Sequence, residues 1–211
     1  MTKNIEEINN KEKKNSILGN FLEFWKNIFS SSFLFELTKT LVISLAIVLP
    51  IRYFLIQPFY VKGASMEPSF YDHEYLIIDE LSFRLRQPER GEVVVFKYPL
   101  NPNEYFIKRI IGLPNERVRI TGGQIEIFNE EHQGGEILDE SNYLSKDIRA
   151  FGEINTTLKS DEYFVMGDNR NSSLDSRIFG PVKSKFIIGK VLLRGWPVNR
   201  INYFSAPSYN F

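Results

Sequence analysis

Ser65 and Lys108 are the two residues of this chain whose side chains could together carry out acyl transfer. Ser65 lies in residues 63–68 (GASMEP), just after an apolar stretch, and Lys108 lies in residues 105–111 (YFIKRII), which are otherwise mostly apolar. A serine hydroxyl is a weak nucleophile until a base removes its proton, and a desolvated lysine amine can be that base. The chain contains two histidines and no cysteine. The pair therefore predicts a serine protease of the Ser-Lys kind.

The neighbours of Lys108 predict that its amine is removed from water. Because side chains alternate along a strand, Lys108 shares a face with Phe106 and Ile110. Burial between large apolar side chains lowers the pKa of a lysine, and a fall of roughly three units from ~10.4, costing about 4 kcal/mol, leaves the amine neutral near pH 7–8. Two alternatives stay open at this point: a lysine that reaches solvent from an edge strand, and a serine that is an ordinary loop residue.

Residues 166–182 (MGDNRNSSLDSRIFGPV) form a third candidate element. Their density of side-chain hydrogen-bonding groups predicts a loop held rigid by its own polar contacts. A calcium-binding loop does not fit, because Arg170 stands where an oxygen ligand is needed. The loop could supply a hydroxyl that orients the lysine and an Asp175–Arg177 ion pair that fixes its own shape. A plain surface loop is the alternative.

The composition excludes several classes of function. The 211 residues include 26 basic and 26 acidic side chains, so the charge balance gives no indication of a nucleic-acid partner. The absence of cysteine excludes disulfides, thiolate catalysis and zinc-thiolate sites. His73 and His132 are predicted to be surface residues, because neither belongs to a carboxylate-oriented triad that the sequence supports. No metal or other cofactor is expected.

The N-terminal segment predicts a membrane anchor. Residues 1–37 are expected to be a cytoplasmic polar tail whose apolar part, residues 18–37, forms either an interfacial helix or a helix packed on the globular domain. Residues 38–58 are predicted to form this anchor, because the apolar stretch from position 40 to position 56 approaches the ~20 residues needed to cross a bilayer and has Arg52 as its only charged residue. A buried core helix is the alternative. No small-x-small cleavage site follows, so the segment is expected to remain as a single transmembrane helix.

Residues 59–211 are predicted to form a mainly β catalytic domain of antiparallel sheets. Short runs rich in β-branched and aromatic residues are separated by Gly and Pro turns. Residues 129–160 are polar and poor in strand signals, so they are predicted to be an irregular insertion. The predicted strands cover residues 75–79, 92–98, 105–111, 117–120, 124–128, 163–166 and 187–193.

Together these segments resemble bacterial type I signal peptidase, a membrane-anchored serine protease, from about residue 41 to residue 201. The motifs that carry the resemblance are Gly-x-Ser-Met-x-Pro at 63–68, Arg-Gly-Glu-Val-Val-Val-Phe at 90–96, Lys-Arg-Ile-Ile-Gly-Leu-Pro at 108–114 and Gly-Asp-Asn-Arg-x-x-Ser-x-Asp-Ser-Arg-x-x-Gly at 167–180. Each motif alone is weak or moderate evidence, whereas four in this order behind an apolar segment are specific to the family. The β-rich catalytic domain that the resemblance implies agrees with the strand pattern.

The resemblance also implies roles for individual residues. Ser65 matches the nucleophile, Lys108 matches the general base, and Ser173 matches the serine that orients the lysine amine. Asp175 and Arg177 match a supporting ion pair. The other supporting positions in the motifs are Gly63, Met66, Asp168, Asn169 and Arg170.

Gly63 departs from the pattern of part of the family. Some members carry a hydroxyl residue at this position, which completes the oxyanion hole together with the N–H of the nucleophilic serine. Glycine has no side-chain donor, so the sequence does not identify the second donor in this chain.

The function that the resemblance implies is the removal of signal peptides from exported preproteins, with cleavage after Ala-x-Ala. Preproteins and the lipid bilayer are the implied partners, and the protein is expected to be monomeric. It is expected in the cell membrane with the catalytic domain on the extracytoplasmic side, and a thylakoid membrane is the alternative location.

Two rival functions remain open from the sequence. A self-cleaving repressor-type protease shares the Ser-Lys chemistry, although it would carry a DNA-binding segment or a soluble arm in place of the apolar segment. A non-catalytic, membrane-anchored β scaffold is the other rival. The scaffold predicts that the Ser65 hydroxyl and the Lys108 amine lie more than about 4 Å apart.

Overall fold

The structure is a computed structural model that describes residues 19–21, 23–24, 31–50 and 56–209. The chain divides into two compact units, Met1–Ile51 and Arg52–Phe211. Residues 1–18 of the predicted polar tail lie outside the described residues.

Helix α1 is the main described element of the first unit and spans Ser31–Pro50. Its segment Ser32–Leu49 has a mean hydropathy of 1.9, and none of that segment is buried. A helix of 20 residues is about 30 Å long at ~1.5 Å per residue, which matches the hydrocarbon thickness of a bilayer. The helix is therefore long and apolar enough to span a membrane.

The limits of α1 differ from those of the predicted anchor at residues 38–58. The helix already begins at Ser31, so the last part of the predicted interfacial segment belongs to the same helix. Residues 56–58 instead lie in a strand, where Pro58 pairs with Ile77. This strand is at the edge of a sheet, a position that tolerates a proline because one side of its backbone is unpaired.

The second unit contains twelve strands and two short helices within residues 56–209. The strands are β1 Ile56–Tyr60, β2 Tyr75–Asp79, β3 Val93–Tyr98, β4 Asn101–Gly112, β5 Arg117–Thr121, β6 Gln124–Phe128, β7 Glu136–Ile137, β8 Ile154–Thr157, β9 Glu162–Met166, β10 Val182–Lys183, β11 Ile187–Trp196 and β12 Asn202–Tyr203. The helices are α2 Ser82–Leu85 and α3 Ser176–Phe179, and 3-10 turns cover Ser184–Phe186 and Val198–Arg200.

Eight of these strands form the larger sheet, in the order β1-β2-β11-β3-β4-β9-β10, with β12 paired to β11. Every pairing is antiparallel, which confirms the predicted mainly β, antiparallel fold. Strand β3 is buried on both faces, and this burial stabilises the centre of the sheet. Val93 and Val95 pack into one hydrophobic cluster, whereas Val94 and Phe96 pack into another. The sequence VVVF is continuous rather than alternating for this reason.

The smaller sheet has the order β7-β6-β5-β8, and it corrects the prediction for residues 129–160. That segment is not wholly irregular, because it contributes β7 and β8 to the sheet. Strand β7 has only two residues, both exposed, and β8 alternates half-buried and exposed side chains. Such short, polar strands lack the apolar alternation from which a strand is predicted.

Candidate active site

Ser65 lies in the turn that connects β1 to β2, and three contacts fix this turn. The Gly63 N–H donates to Asp72 Oδ1 at 2.9 Å, and Gly63 has a φ of 85°, in the left-handed region that glycine adopts without strain. The Glu67 N–H donates to the Ala64 carbonyl at 3.2 Å. Met66 is 1% exposed and packs in the cluster that lies under the turn. The Met in Ser-Met-x-Pro therefore anchors the serine to the core.

A second segment, beginning at Gly167, holds the same turn from the other side. The Asn169 N–H donates to the Ser65 carbonyl at 3.1 Å, and Asn169 Nδ2 donates to the Ala64 carbonyl at 3.1 Å. The approach is close enough that a Cβ atom at Gly167 would overlap the Ser65 carbonyl oxygen and the Ser173 side chain. These contacts explain why the 167–180 motif has a glycine at 167, where a Cβ does not fit, and an amide at 169, which bonds the turn.

Lys108 on β4 lies next to Ser65, although the two residues are distant in sequence. The distance between Lys108 Nζ and Ser65 Oγ is 2.8 Å. The Lys108 amine also donates to the Ile107 carbonyl at 2.8 Å and lies 5.4 Å from the centre of the Phe106 ring. Phe106 is the same apolar neighbour from which the sequence predicts desolvation.

The Lys108 side chain is almost completely removed from solvent, with 4% of the residue exposed. This burial lowers the pKa of Lys108 from 10.5 to about 8, although the carboxylates of Asp175 and Asp168 act in the opposite direction. Neither carboxylate forms a salt bridge with the amine among the described residues. The site therefore holds a lysine that is close to half neutral at mildly alkaline pH.

Ser173 is the residue that the resemblance assigns to orienting the lysine amine. Its Oγ is buried beside Gly167, and it makes no hydrogen bond to Lys108 Nζ among the described residues. The second acceptor for the amine is the Ile107 carbonyl instead. The orienting role of Ser173 stays a prediction.

The predicted Asp175–Arg177 pair is present and closes the 167–180 segment on itself. Arg177 Nε donates to Asp175 Oδ1 and Arg177 Nη2 to Asp175 Oδ2, both at 2.8 Å. Asp175 Oδ2 also accepts the Gly167 N–H at 3.1 Å. Burial raises the pKa of the Asp175 carboxyl, but the contacts with Arg177 and Gly167 outweigh it, so the pKa is lowered overall.

Asp168 and Arg170 form ion pairs with Arg109 and Glu140, which are not among the site residues predicted from the sequence. Arg109 forms a two-pronged salt bridge with Asp168, with distances of 2.9 Å and 2.6 Å. Arg170 forms a similar pair with Glu140 at 2.7 Å and 2.5 Å. The Tyr143 ring lies 3.9 Å from the Arg109 guanidinium.

These partners come from β4 and from the 129–160 insertion, which therefore supports the site. A pair between Glu140 and Arg170 joins positions far apart in the chain, and neither residue lies in a periodic pattern that would predict it. The sequence contains one indication of a partner for Arg109. A cation directly after an apolar-facing lysine on a strand points to the opposite face, where a buried guanidinium needs a counter-ion.

A cleft of about 540 Å³ opens beside Ser65 and Lys108, and most of the side chains that line it are apolar. Ser65 and Lys108 lie on its wall. The other lining residues are Phe59, Tyr60, Val61, Lys62, Leu76, Val95, Glu104, Tyr105, Phe106, Ile107 and Leu174. No group of three or more His, Asp or Glu side chains converges as a metal site within the described residues.

Comparison with known protein families establishes the family of this chain. Residues 34–196 match the family described as signal peptidase, peptidase S26. The chain belongs to this family. The resemblance to type I signal peptidase that the motifs indicated is therefore confirmed, and the protein is a peptidase of this class.

Individual relatives agree with the family match. A probable signal peptidase I-2 of Synechocystis sp. is 38% identical over 79% of this chain and 75% of its own length. A signal peptidase I of Leptolyngbya laminosa is 37% identical over 82% of this chain and 85% of its own length. A signal peptidase IB of Staphylococcus aureus is 29% identical over 84% of this chain and 94% of its own length.

Proposed function

We propose that this peptidase is a membrane-anchored serine endopeptidase that removes signal peptides from exported preproteins, with Ser65 as the nucleophile and Lys108 as the general base. The observation that carries the proposal is the 2.8 Å distance between Lys108 Nζ and Ser65 Oγ on the wall of a cleft. This distance is within hydrogen-bond reach, as a nucleophile and its base require. It disfavours the scaffold, for which a separation beyond about 4 Å is expected.

The contacts of Lys108 support its role as the base. A neutral amine has two N–H groups and one lone pair, and one N–H is directed to the Ile107 carbonyl. This contact helps to turn the lone pair toward the Ser65 hydroxyl. The lone pair accepts the Ser65 proton while Oγ forms a bond to the scissile carbonyl carbon, and the ammonium then protonates the leaving amine. Water hydrolyses the acyl-enzyme, with the same amine again accepting the proton.

The turn supplies one donor for the oxyanion that forms in this reaction. The Ser65 N–H donates no hydrogen bond to any described residue, so it is available to the substrate oxygen. The Gly63 N–H is not available, because it is bound to Asp72.

The edge of β4 supports the binding of an extended substrate. Residues 101–109 pair with β3 on one side, whereas pairing with β9 on the other side begins only at Arg109. Among the described strands none pairs with this edge of β4 before Lys108, so the edge can accept a substrate strand by β-addition. Alternate substrate side chains would then face the apolar residues that line the cleft, and we expect small residues at those positions, as in Ala-x-Ala.

Helix α1 supports the membrane anchor, since it is long and apolar enough to span a bilayer. We propose a single span, a catalytic unit on the extracytoplasmic side of the cell membrane, and a monomer. A thylakoid membrane would serve the same topology. Protease protection of intact and permeabilised cells tests the sidedness, because only an extracytoplasmic unit is digested before permeabilisation.

The activity is tested by cleavage of a preprotein whose signal ends in Ala-x-Ala, using the detergent-solubilised full chain. Wild type is expected to cut at that site, and Ser65→Ala and Lys108→Ala are expected to lose the activity. Matched controls are Ser172→Ala and Lys97→Ala, which remove an exposed serine and an exposed lysine and should leave cleavage unchanged. Cleavage that survives Lys108→Ala would show that Lys108 is not the base.

A further inference from the structure

Among the described residues, Asp72 is the one whose side chain hydrogen-bonds the backbone of Gly63, two positions before Ser65. Its Oδ1 accepts the Gly63 N–H at 2.9 Å and the His73 N–H at 3.1 Å. Gly63 itself has open space where a Cβ would stand, so packing does not hold it. Asn169 holds the turn from Ala64 onward, which leaves the Asp72 carboxylate to hold Gly63.

The Asp72 carboxylate is oriented in turn by a ring that leads to the cleft. His73 Nε2 lies 3.3 Å from Asp72 Oδ2, and His73 Nδ1 is hydrogen-bonded to the Tyr60 hydroxyl. Tyr60 belongs to the wall of the cleft. A connected path thus runs from the cleft wall, through His73 and Asp72, to a backbone group two positions before Ser65.

The exposure of these groups indicates what the path does. The side chains of Asp72 and His73 are 44% and 74% exposed, and exposed ion pairs add little to the stability of a fold. The hydrogen bond that the Gly63 N–H donates to this exposed carboxylate is therefore better explained by a need to fix the backbone two positions before Ser65 than by a gain in stability. Acyl transfer is sensitive to such geometry, since a displacement of about 1 Å can lower a rate roughly 100-fold.

We propose that Asp72 is a positioning residue for proteolysis, which fixes the Gly63 backbone so that the Ser65 hydroxyl and N–H face the scissile carbonyl. The same contact holds the Gly63 N–H away from the substrate oxygen. This inference rests on the proposed function, because it assigns to Asp72 a role in the reaction of Ser65. It concerns a residue outside the four motifs that identify the family.

The test compares Asp72→Ala with Asp72→Asn in steady-state cleavage of a peptide that contains an Ala-x-Ala site, with the full chain in detergent. Asp72→Ala is expected to lower kcat about 10- to 100-fold with KM changed less than about threefold. Asp72→Asn is expected to stay within about threefold of wild type, because its amide oxygen still accepts the Gly63 N–H. Asp161→Ala, which removes an exposed carboxylate, is the matched control and should not change kcat.

Several outcomes would overturn the role of Asp72. These are an unchanged kcat in Asp72→Ala, an Asp72→Asn variant as impaired as Asp72→Ala, or a loss of kcat that merely follows a lower melting temperature. Ser65→Ala and Lys108→Ala, measured beside them, separate this inference from the proposed function. If those two variants abolish cleavage while Asp72→Ala matches wild type, only the positioning role fails.

Discussion

Lys108 and Arg109 are consecutive cations on β4 that face two different regions of the catalytic unit. Both are buried to a similar degree, with 4% and 6% of each residue exposed. On the cleft side, Lys108 contacts a hydroxyl and a carbonyl, both neutral. On the opposite side, Arg109 contacts the Asp168 carboxylate, the Gly91 carbonyl and the face of Tyr143.

The difference between the two regions lies in the partners, because burial is nearly the same. Burial lowers the pKa of Lys108 to about 8, since no salt bridge compensates for the lost hydration. Burial alone would lower the pKa of Arg109 too, but the Asp168 carboxylate reverses the effect, so the pKa is raised overall. One strand thus carries a cation that can give up its proton and a cation that is held charged as a structural clamp.

The largest expected effect is on catalysis and comes from removing the amine on the cleft side. Lys108→Met should lower kcat/KM about 10²- to 10⁴-fold, because no other described group lies where it can accept the Ser65 proton. Lys108→Arg should be equally inactive, since a guanidinium does not deprotonate near neutral pH. The measurement is single-turnover cleavage, with Lys97→Met as the control. Activity within tenfold of wild type in either Lys108 variant would contradict the assignment of Lys108 as the cation that accepts and gives up a proton.

On the opposite side the expected effect is on stability. Asp168→Asn leaves the Arg109 charge buried without its counter-ion, which should lower the free energy of unfolding by about 3–5 kcal/mol. Urea denaturation of the full chain in detergent, followed by tryptophan fluorescence, measures this change. Asp161→Asn serves as the matched control. A change below about 1 kcal/mol would mean that Arg109 is not held by this carboxylate.

Replacing Lys108 by an apolar residue should stabilise the fold while it abolishes catalysis. The pKa of Lys108 is 10.5 when exposed and about 8 when folded. Below pH 8 both states bind the proton and the folded state is penalised by up to about 3 kcal/mol. Between the two pKa values the unfolded state binds more protons, so wild-type stability rises with pH.

Lys108→Met lacks this group, and its free energy of unfolding should exceed that of wild type near pH 7 by up to about 3 kcal/mol. The advantage should shrink as the pH is raised from 8 toward 10.5. Denaturation of both proteins across this pH range tests the sign. A Lys108→Met variant that is less stable than wild type at pH 7 would show that the amine has a compensating charge partner.

The smallest expected effect concerns the contact between the insertion and the active-site segment. Glu140→Gln keeps one acceptor for the Arg170 guanidinium but removes the charge, so it should cost about 1–2 kcal/mol of stability. Glu130→Gln, an exposed residue of the same insertion, is the control. The thermal unfolding midpoint measures the loss, and equal midpoints for the two variants would indicate that the pair is not important for the fold.

The sequence predicted the parts of the molecule that depend on local pattern. Strands β2 and β6 have the predicted limits, because each is a short run rich in β-branched or aromatic residues between turns. The proximity of Ser65 and Lys108 could be predicted because each residue lies in a short motif. The burial of Lys108 could be predicted because Phe106 and Ile110 lie on the same face of its strand.

The parts that were missed depend on contacts between distant positions. Glu140 and Tyr143 support Arg170 and Arg109 from a polar insertion without periodicity. The hydrogen bond from Gly63 to Asp72 depends on the exact path of one turn. No alternation or spacing encodes such pairs, since they arise only when the sheets bring separate segments together.

The pH dependence of kcat/KM for the peptide substrate tests the central claim most directly, because it reports the ionisation of the free enzyme's base. The claim is that a buried lysine without a salt bridge acts as the base, so kcat/KM should rise tenfold per pH unit and level off above an apparent pKa of about 8. A profile that is flat across this range, or that still rises up to the ordinary lysine value of 10.5, would contradict it.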